Sequence, residues 1–400
     1  MADSRGIRIF SAPGRTELAG NHTDHNNGKV LAAAVQLHIK AQVQKTDGNT
    51  VRFCSAGFPD AIVKLTDNNG DYDLQIKPEE TGTTQALIRG IAAELHKRGC
   101  AIGGFTANAE SGVLPGSGLS SSAAVETLII RIFDSLYADG NLSAVETAQI
   151  GQIAENEYFG KPCGLMDQIA CAADGTAAID FADCANPIVK KINFDPAQAG
   201  YSLCIVNTGG SHADLTADYA SIPAEMKSAA AFFGKSVLRE LDKETVTSRA
   251  ADVRKALGDR ALLRAIHFFD ENARVETMTS LLIEMENASA GTDKQAAFYK
   301  YLSLVNESGN SSCELLQNVF SPNNPKSQGI SAALAFTKDF LRKHTLQGAC
   351  RIHGGGFAGT IQAYIPMDAI HAYRACMEAV FGAGAVTVLN INPKGAGEIK

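Results

Sequence analysis

A glycine- and serine-rich segment that runs directly into an apolar helix is the part of this sequence best suited to chemistry. Residues 114–124 read Leu-Pro-Gly-Ser-Gly-Leu-Ser-Ser-Ser-Ala-Ala. Apolar residues then recur with the period of one helix face, at Val125, Leu128, Ile129, Ile132, Phe133 and Leu136. Backbone N–H groups at the positive end of a helix dipole bind anions, so the segment predicts a phosphate site. A plain serine-capped turn is the alternative.

The segment has no lysine and does not match the common phosphate loop, which ends in Gly-Lys-Ser or Gly-Lys-Thr. The charge of a bound phosphate must therefore be neutralised by a metal ion and by residues elsewhere in the chain.

Three further motifs accompany this segment. Residues 12–28 read Ala-Pro-Gly-Arg-Thr-Glu-Leu-Ala-Gly-Asn-His-Thr-Asp-His-Asn-Asn-Gly, residues 163–168 Cys-Gly-Leu-Met-Asp-Gln, and residues 351–360 Arg-Ile-His-Gly-Gly-Gly-Phe-Ala-Gly-Thr. In this order they resemble the GHMP small-molecule kinases, and within that group the galactokinase family. The resemblance implies an α+β fold of two domains with the active site in the cleft between them. It also implies ATP-dependent phosphorylation of the anomeric hydroxyl of galactose.

The resemblance assigns the catalytic roles to Asp167 and Arg15. Asp167 would accept the proton of the sugar hydroxyl or orient that hydroxyl, and both roles stay open. Arg15 would keep the carboxylate ionised and spread the charge of the transferred phosphoryl group. A structural salt bridge is the alternative.

Nucleotide and metal sites follow from the same resemblance. Mg²⁺ is expected as a hard cation held by oxygen ligands, with Ser122 and Glu155 as its protein ligands. Glu157 falls on a different helix face, and a solvated helix surface is the alternative for both glutamates. The residues expected to bind ATP are Gly116, Ser117, Gly118, Leu119, Ser120, Ser121 and Ser122.

The expected sugar-binding residues come from the first motif and from two later positions: Glu17, Asn21, His22, Asp24, Gly164 and Tyr219. His22, Asp24 and His25 could alternatively be metal ligands, and Tyr219 could be a half-buried core residue. The glycines Gly354, Gly355 and Gly356 are expected near the phosphates and the sugar, because glycine lets the backbone approach a ligand closely. A simple hairpin turn is the alternative.

The first motif departs from the family pattern at two positions. Glu17 stands where asparagine is usual and Asn21 where glutamate is usual, as though the two side chains were exchanged. Either Glu17 reaches the space that Asn21 leaves and galactose is retained, or the sugar differs there, for example by an N-acetyl or carboxyl group. A buried polar mismatch of this kind can change discrimination by roughly 10⁴-fold.

Composition bounds the remaining possibilities. A chain of 400 residues predicts two domains, here 1–195 and 196–400. Nine scattered cysteines without a C-x-x-C pair, and no visible signal peptide, favour a reducing cytoplasm. A net charge of −7 argues against nucleic-acid and anionic-membrane partners. We expect a monomer whose partners are a small sugar and ATP.

Coarse patterns predict the elements that position these motifs. Strands are expected at 7–10, 30–43, 105–109, 201–207 and 385–391, and helices at 84–98 and 368–381. A turn is expected at Ala12–Gly14, and a strand, glycine loop and second strand over 351–366. The segment 214–345 is expected to be mostly helical, with a break at 321–325.

Three other functions compete with a galactokinase. The first is a kinase for N-acetylgalactosamine, galacturonate or L-arabinose. The second is a non-catalytic sensor that binds galactose and ATP, and the third a nucleotide-binding domain without a sugar site. Retention of the serine run, Asp167 and Arg15 favours an enzyme.

Overall fold

A computed structural model of the chain describes residues 6–113, 118–210, 215–287 and 292–399. Its strands are β1 Ile7–Ala19, β2 Lys29–Lys45, β3 Thr50–Ser55, β4 Ala61–Lys64, β5 Phe105–Ser111, β6 Thr176–Asp180, β7 Ile188–Ile192, β8 Tyr201–Asn207, β9 Ala349–His353, β10 Thr360–Pro366, β11 Val386–Leu389 and β12 Gly397–Ile399. Its helices are α1 Thr84–Lys97, α2 Ser121–Tyr137, α3 Ala144–Ile153, α4 Met166–Ala172, α5 Thr216–Phe232, α6 Lys243–Ser248, α7 Ala250–Leu257, α8 Asp259–Asn287, α9 Thr292–Ser311, α10 Gly329–Lys343 and α11 Ile370–Phe381. The mixture of elements is the α+β class expected from the sequence.

The strands form two sheets. The large sheet has the order β12-β1-β2-β5-β3-β4, and β6 and β7 extend it from β2. Its strand pairs are antiparallel except for β3 with β5. The small sheet is antiparallel with the order β11-β8-β10-β9. Strand β1 of the large sheet carries the start of the first motif, residues 12–28. Strand β9 of the small sheet leads into the late glycine loop.

The first strand is longer than the sequence pattern indicates. A turn was expected at Ala12–Gly14, and this was wrong: β1 continues from Ile7 to Ala19. The pairing register with β2 shifts between Pro13 and Arg15 and again between Glu17 and Ala19. Irregularities of this kind absorb a proline and let a strand continue while they re-aim its side chains.

Most other predicted elements are confirmed. Helix α1 begins one residue after Thr83, whose hydroxyl accepts the N–H of Ala86, and the helix ends before Gly99. Helices α5 to α10 fill the middle of the chain, with a non-helical break over 321–328. The last strand was missed: β12 is three residues long and pairs with β1, because so short an element carries no period of its own.

The apolar core is continuous between the sheets. Its largest cluster joins large-sheet strands, α1 and α2 to α8, α9 and the small sheet, and includes Phe105, Phe133, Leu203, Phe298 and Tyr364. Smaller clusters lie beneath α10 and α11 and between α5 and α8. The division into residues 1–195 and 196–400 stays a prediction. Among the described helices, none has both the length and the apolar composition needed to cross a bilayer.

Candidate active site

Arg15 and Asp167 meet where β1 passes the first turn of α4. Arg15 Nε donates to Asp167 Oδ1 at 2.7 Å, and Arg15 Nη2 donates to Oδ2 at 2.8 Å. The arginine side chain is buried, whereas 35% of the aspartate side chain stays exposed. Burial would raise the pKa of Asp167, but Arg15 and the Ser120 hydroxyl outweigh it and hold that pKa below its usual value. The site therefore holds an ionised carboxylate that a substrate can reach.

The end of the serine-rich segment is fastened to the same pair. The N–H of Arg15 donates to Leu119 O at 3.0 Å, and its guanidinium donates to Gly118 O. Gly118 has a φ of +73°, and a Cβ there would lie 2.8 Å from Thr360 Oγ1 and 2.9 Å from His353 Nδ1. Only glycine fits between these groups. Gly116 and Ser117 of the expected phosphate site lie outside the described residues.

Within the part of the chain that the structure describes, the side chain of the N-cap residue does not cap helix α2. Its N-cap residue Ser120 has a left-handed backbone, with φ 54°, and makes no side-chain capping bond. Its hydroxyl donates instead to Asp167 Oδ2. The first N–H groups of a helix need an acceptor, so this end of α2, with Ser121 and Ser122, is suited to phosphate oxygens.

Oxygen donors gather one turn into α2. Ser122 Oγ lies within hydrogen-bond distance of two carboxylates, 2.8 Å from Glu126 Oε1 and 3.1 Å from Glu155 Oε1. Both carboxylates are buried, Glu155 on a π-helical turn, Ala154–Phe159, that follows α3. Glu157, two residues further on, is exposed. Burial and the neighbouring Glu155 raise the pKa of Glu126 to about 8.

This donor set fits Mg²⁺. A hydroxyl and two carboxylates are hard oxygen ligands, and the two carboxylates together need a cation. Gln168 donates Nε2 to Glu126 Oε2 at 3.0 Å and to Glu155 Oε2 at 3.1 Å, while its buried Oε1 has no hydrogen-bond partner among the described residues. Solvated helix surface is thus wrong for Glu155 and right for Glu157.

The two exchanged residues of the first motif contact each other. Asn21 Nδ2 lies 3.3 Å from Glu17 Oε1 and donates to Gly354 O at 2.7 Å. Asn21 Oδ1 accepts from Asn318 Nδ2 at 2.9 Å. Glu17 is 3% exposed and forms an ion pair with Arg351 Nη2 at 2.6 Å. Both side chains are therefore anchored within the protein.

The late glycine loop receives donors from the rest of the site. Its carbonyls at 354, 355 and 356 accept from Asn21, from His22 Nε2 at 2.9 Å and from Tyr219 Oη at 2.9 Å. Burial and the neighbouring His25 lower the pKa of His22 to about 3, so the ring is neutral. The loop is thus more than a hairpin turn, since it joins the first motif to α5.

Steric contacts bring the remaining sugar-site candidates together. A Cβ at Gly164 would overlap the Asp24 carboxylate, and one at Gly355 would lie 2.5 Å from Tyr219 Cε1. Tyr219 is half-buried, with its ring edge-on to Phe357 at 5.4 Å between centroids. His22 and His25 have ring centroids 6.0 Å apart. The described residues contain no group of three or more His, Cys, Asp or Glu side chains that could hold a metal ion, which gives no support to the alternative metal site at His22, Asp24 and His25.

Helix α8 supports the first motif from the side of the core. His267 Nε2 donates to Asn21 O at 2.9 Å, and Glu271 Oε1 accepts from Gly20 N at 3.0 Å and from Ser308 Oγ at 2.7 Å. Arg274 pairs with the same buried carboxylate. These contacts position the motif before any ligand binds.

Sequence reasoning missed several residues of the site. Glu126 lies four residues after Ser122, the spacing that puts two side chains on one helix face. Its charge within an otherwise apolar helix was a detectable signal. Arg351 was equally visible as a charge inside a buried strand. Asn318 carried no signal, because its role depends on a long-range contact with Asn21.

Comparisons with known proteins show which family the chain resembles. Residues 86–175 match the GHMP kinases N terminal domain, and residues 2–45 match the galactokinase galactose-binding signature. The chain is 31% identical over 369 residues to a galactokinase from Glaesserella parasuis, covering 91% of this chain and 86% of the relative. It is 28% identical to a galactokinase from Streptomyces coelicolor, covering 94% and 89%.

Solved structures support the fold. Lactococcus lactis galactokinase complexed with galactose superposes with a TM-score of 0.79 at 23% identity, covering 99% of this chain and 96% of that one. Methanococcus jannaschii mevalonate kinase gives 0.63 at 13% identity, covering 97% and 99%. The architecture is therefore the GHMP kinase fold, and by its sequence relatives the chain belongs to the galactokinase family.

Proposed function

We propose that the protein transfers the γ-phosphoryl group of ATP to the anomeric hydroxyl of D-galactose, giving galactose 1-phosphate and ADP. The observation that carries the proposal is the bidentate Arg15–Asp167 pair, set between the first motif and the start of α2. Acceptor hydroxyl and phosphate would meet at this pair. We further propose that the enzyme uses Mg²⁺, acts as a cytoplasmic monomer, and has domains 1–195 and 196–400.

The sugar would lie against the first motif and the late glycine loop. His22, Asp24 and Tyr219 carry polar groups there, and Gly164 and Gly355 leave room for the side chains that contact them. Asp167 would receive the proton of the anomeric hydroxyl as phosphorus approaches, or hold that hydroxyl in line with the phosphate. Its depressed pKa favours the orienting role over strong basicity.

The nucleotide phosphates would bind the N-terminus of α2 through backbone N–H groups and through Ser120 and Ser121. Ser122, Glu155 and Glu126 would hold the metal, which when bound neutralises charge on the phosphate oxygens. Arg15 would stabilise the charge of the transferred group while keeping Asp167 ionised.

A kinase for a related sugar is the second candidate. The observation that favours it is the anchoring of both exchanged residues: Glu17 is held by Arg351, and Asn21 by Asn318 and Gly354. Glu17 and Asn21 could therefore recognise a sugar substituent other than a plain hydroxyl.

A coupled assay of ADP release tests both candidates. The panel is D-galactose, N-acetylgalactosamine, galacturonate, L-arabinose and glucose, each with Mg·ATP, with Asp167→Asn as the inactive control. Turnover on galactose is the expected result. Preference for another sugar would retain the chemistry and favour the second candidate, whereas galactose and ATP binding without turnover would favour a sensor.

A further inference from the structure

Positive charge is scarce at the phosphate end of this site. Residues 114–124 contain neither lysine nor arginine. Arg15 is committed through Nε and Nη2 to Asp167 and through Nη1 to Gly118 O. Phosphoryl transfer develops charge on several oxygens at once and is stabilised by cations placed around them. A further cation near Glu155 would therefore have a use.

Lys161 provides such a cation. It follows the π-helical turn Ala154–Phe159, and Gly160 reverses the chain with a φ of 83°. The N–H of Lys161 donates to Glu155 O at 3.0 Å, and its Nζ donates to Glu155 Oε1 at 2.9 Å. That oxygen also lies 3.1 Å from Ser122 Oγ. The ammonium thus lies on the carboxylate oxygen that faces the expected metal ligand Ser122.

Most of the Lys161 side chain is exposed to solvent. It is 61% exposed although its carboxylate partner is 4% exposed. Four methylene groups give the ammonium a wide reach. The charge of Lys161 also helps to lower the pKa of Asp167, so it acts across the same site.

We propose that Lys161 is the phosphate-binding lysine that the serine-rich segment lacks. Without metal its ammonium neutralises Glu155. With a divalent cation held by Glu155 and Ser122, the ammonium of Lys161 would lose this partner and would be available to bind phosphate oxygens of the nucleotide. The proposal rests on the proposed ATP-dependent transfer, and it makes Lys161 a competitor of the metal before ATP binds and a partner of ATP afterwards.

Metal binding without nucleotide tests the first half. Mn²⁺ binding is followed by electron paramagnetic resonance for wild type, Lys161→Met and Lys161→Arg. Lys191→Met is the matched control, because Lys191 is 62% exposed and pairs with Asp174 at 3.2 Å. We expect Lys161→Met to bind Mn²⁺ several-fold more tightly than wild type, since a competing charge is removed. Unchanged or weaker Mn²⁺ binding in Lys161→Met would overturn the proposal.

Nucleotide binding tests the second half. Calorimetry with ADP in saturating Mg²⁺ should give an affinity about tenfold weaker in Lys161→Met, with most of the loss restored in Lys161→Arg. If Lys161 were purely structural, its replacement would not strengthen metal binding and at the same time weaken nucleotide binding. Affinity equal to that of Lys191→Met would contradict the assignment. Neither measurement contains sugar, so absence of galactose turnover in the wild type would refute the proposed function and leave the test of Lys161 intact.

Discussion

Arg15 and Asp167 are 152 residues apart in the chain, yet their side chains meet in two parallel hydrogen bonds of 2.7 and 2.8 Å. The pair joins β1 of the large sheet to the first turn of α4. Planar guanidinium and carboxylate groups match each other in this arrangement, which fixes orientation as well as charge. Asp167 nevertheless keeps 35% of its side chain exposed.

Asp167→Asn should remove activity and leave binding intact. The amide keeps the shape of the carboxylate but cannot accept a proton or pair with Arg15 as an ion. We expect kcat to fall by about 10² to 10⁴-fold in the coupled assay. Calorimetric binding of Mg·ATP serves as the control and should stay within a few-fold of wild type. A fall of less than tenfold would contradict a catalytic role for Asp167.

Arg15→Gln should move the acid limb of the pH–rate profile upward. Burial alone raises the pKa of Asp167, and Arg15 is the main group that opposes it. Because the ionised carboxylate is the active form, wild-type kcat/KM should stay level through the pH range in which an ordinary aspartate begins to take up a proton. In Arg15→Gln, kcat/KM should be lower at its plateau and should begin to fall at a higher pH than in wild type. Profiles of kcat/KM with the same inflection in both proteins would refute this coupling.

Asn21→Glu should destabilise the protein before it changes sugar preference. The new carboxylate would stand beside Glu17, whose Oε1 lies 3.3 Å from Asn21 Nδ2 and is buried. Two buried like charges cost about 3 kcal/mol or more. The exchange Glu17→Asn with Asn21→Glu should recover part of the lost stability, as measured by thermal unfolding. If Asn21→Glu alone is as stable as wild type, Glu17 and Asn21 are not coupled.

The same variants test sugar identity. Each stable variant is assayed on galactose and N-acetylgalactosamine, and we expect the double exchange to change their ratio of kcat/KM. An unchanged ratio would remove Asn21 from the residues that select the sugar.

Gly355→Ala should disrupt the late glycine loop. A Cβ there would lie 2.5 Å from Tyr219 Cε1, so the ring or the loop must shift. We expect the KM for sugar to rise at least about tenfold and stability to fall by about 1 to 3 kcal/mol. Gly48→Ala is the control, because a Cβ at Gly48 has no neighbour within 4 Å among the described residues. Equal behaviour of the two variants would show that this contact does not constrain the loop.

Glu271→Gln should remove stability that depends on pH. Burial would raise the pKa of Glu271, but His267, Arg274 and Arg351 lower it to about 2 from a usual 4.5. A depressed carboxylate pKa stabilises the fold above pH 4.5, and this stabilisation is lost as the pH falls toward 2. The shift corresponds to about 3 kcal/mol.

Thermal unfolding at pH 7 and pH 3 checks this contribution. The difference in melting temperature between wild type and Glu271→Gln should be smaller at pH 3 than at pH 7. Glu276→Gln, with a 59% exposed side chain on the same helix, should differ little from wild type at either pH. If the difference in melting temperature is the same at both pH values, ionisation of Glu271 is not the source of the stability.

Local sequence patterns predicted the motifs, the longer helices and several strands, because helix and strand periods and glycine positions are local properties. They missed β3, β4, β6, β7 and β12, which are short strands. They could not supply the partners that hold those motifs. Glu17 faces Arg351 and Asn21 faces Asn318 across about 300 residues or more of chain, as their hydrogen bonds record. The extension of β1 through Pro13 was also invisible, since a register shift depends on the neighbouring strand.

The shared core also bears on how the molecule loses its structure. The ring centroids of Phe194 and Tyr301 are 5.2 Å apart, and those of Tyr201 and Phe298 are 4.9 Å apart. These contacts join the segment around residue 195 to α9, and the same cluster reaches both sheets. Unfolding of residues 1–195 or of residues 196–400 would expose apolar side chains of the other part to water. The two halves are therefore thermodynamically linked, and a cut at residue 195 would yield fragments that need each other to fold.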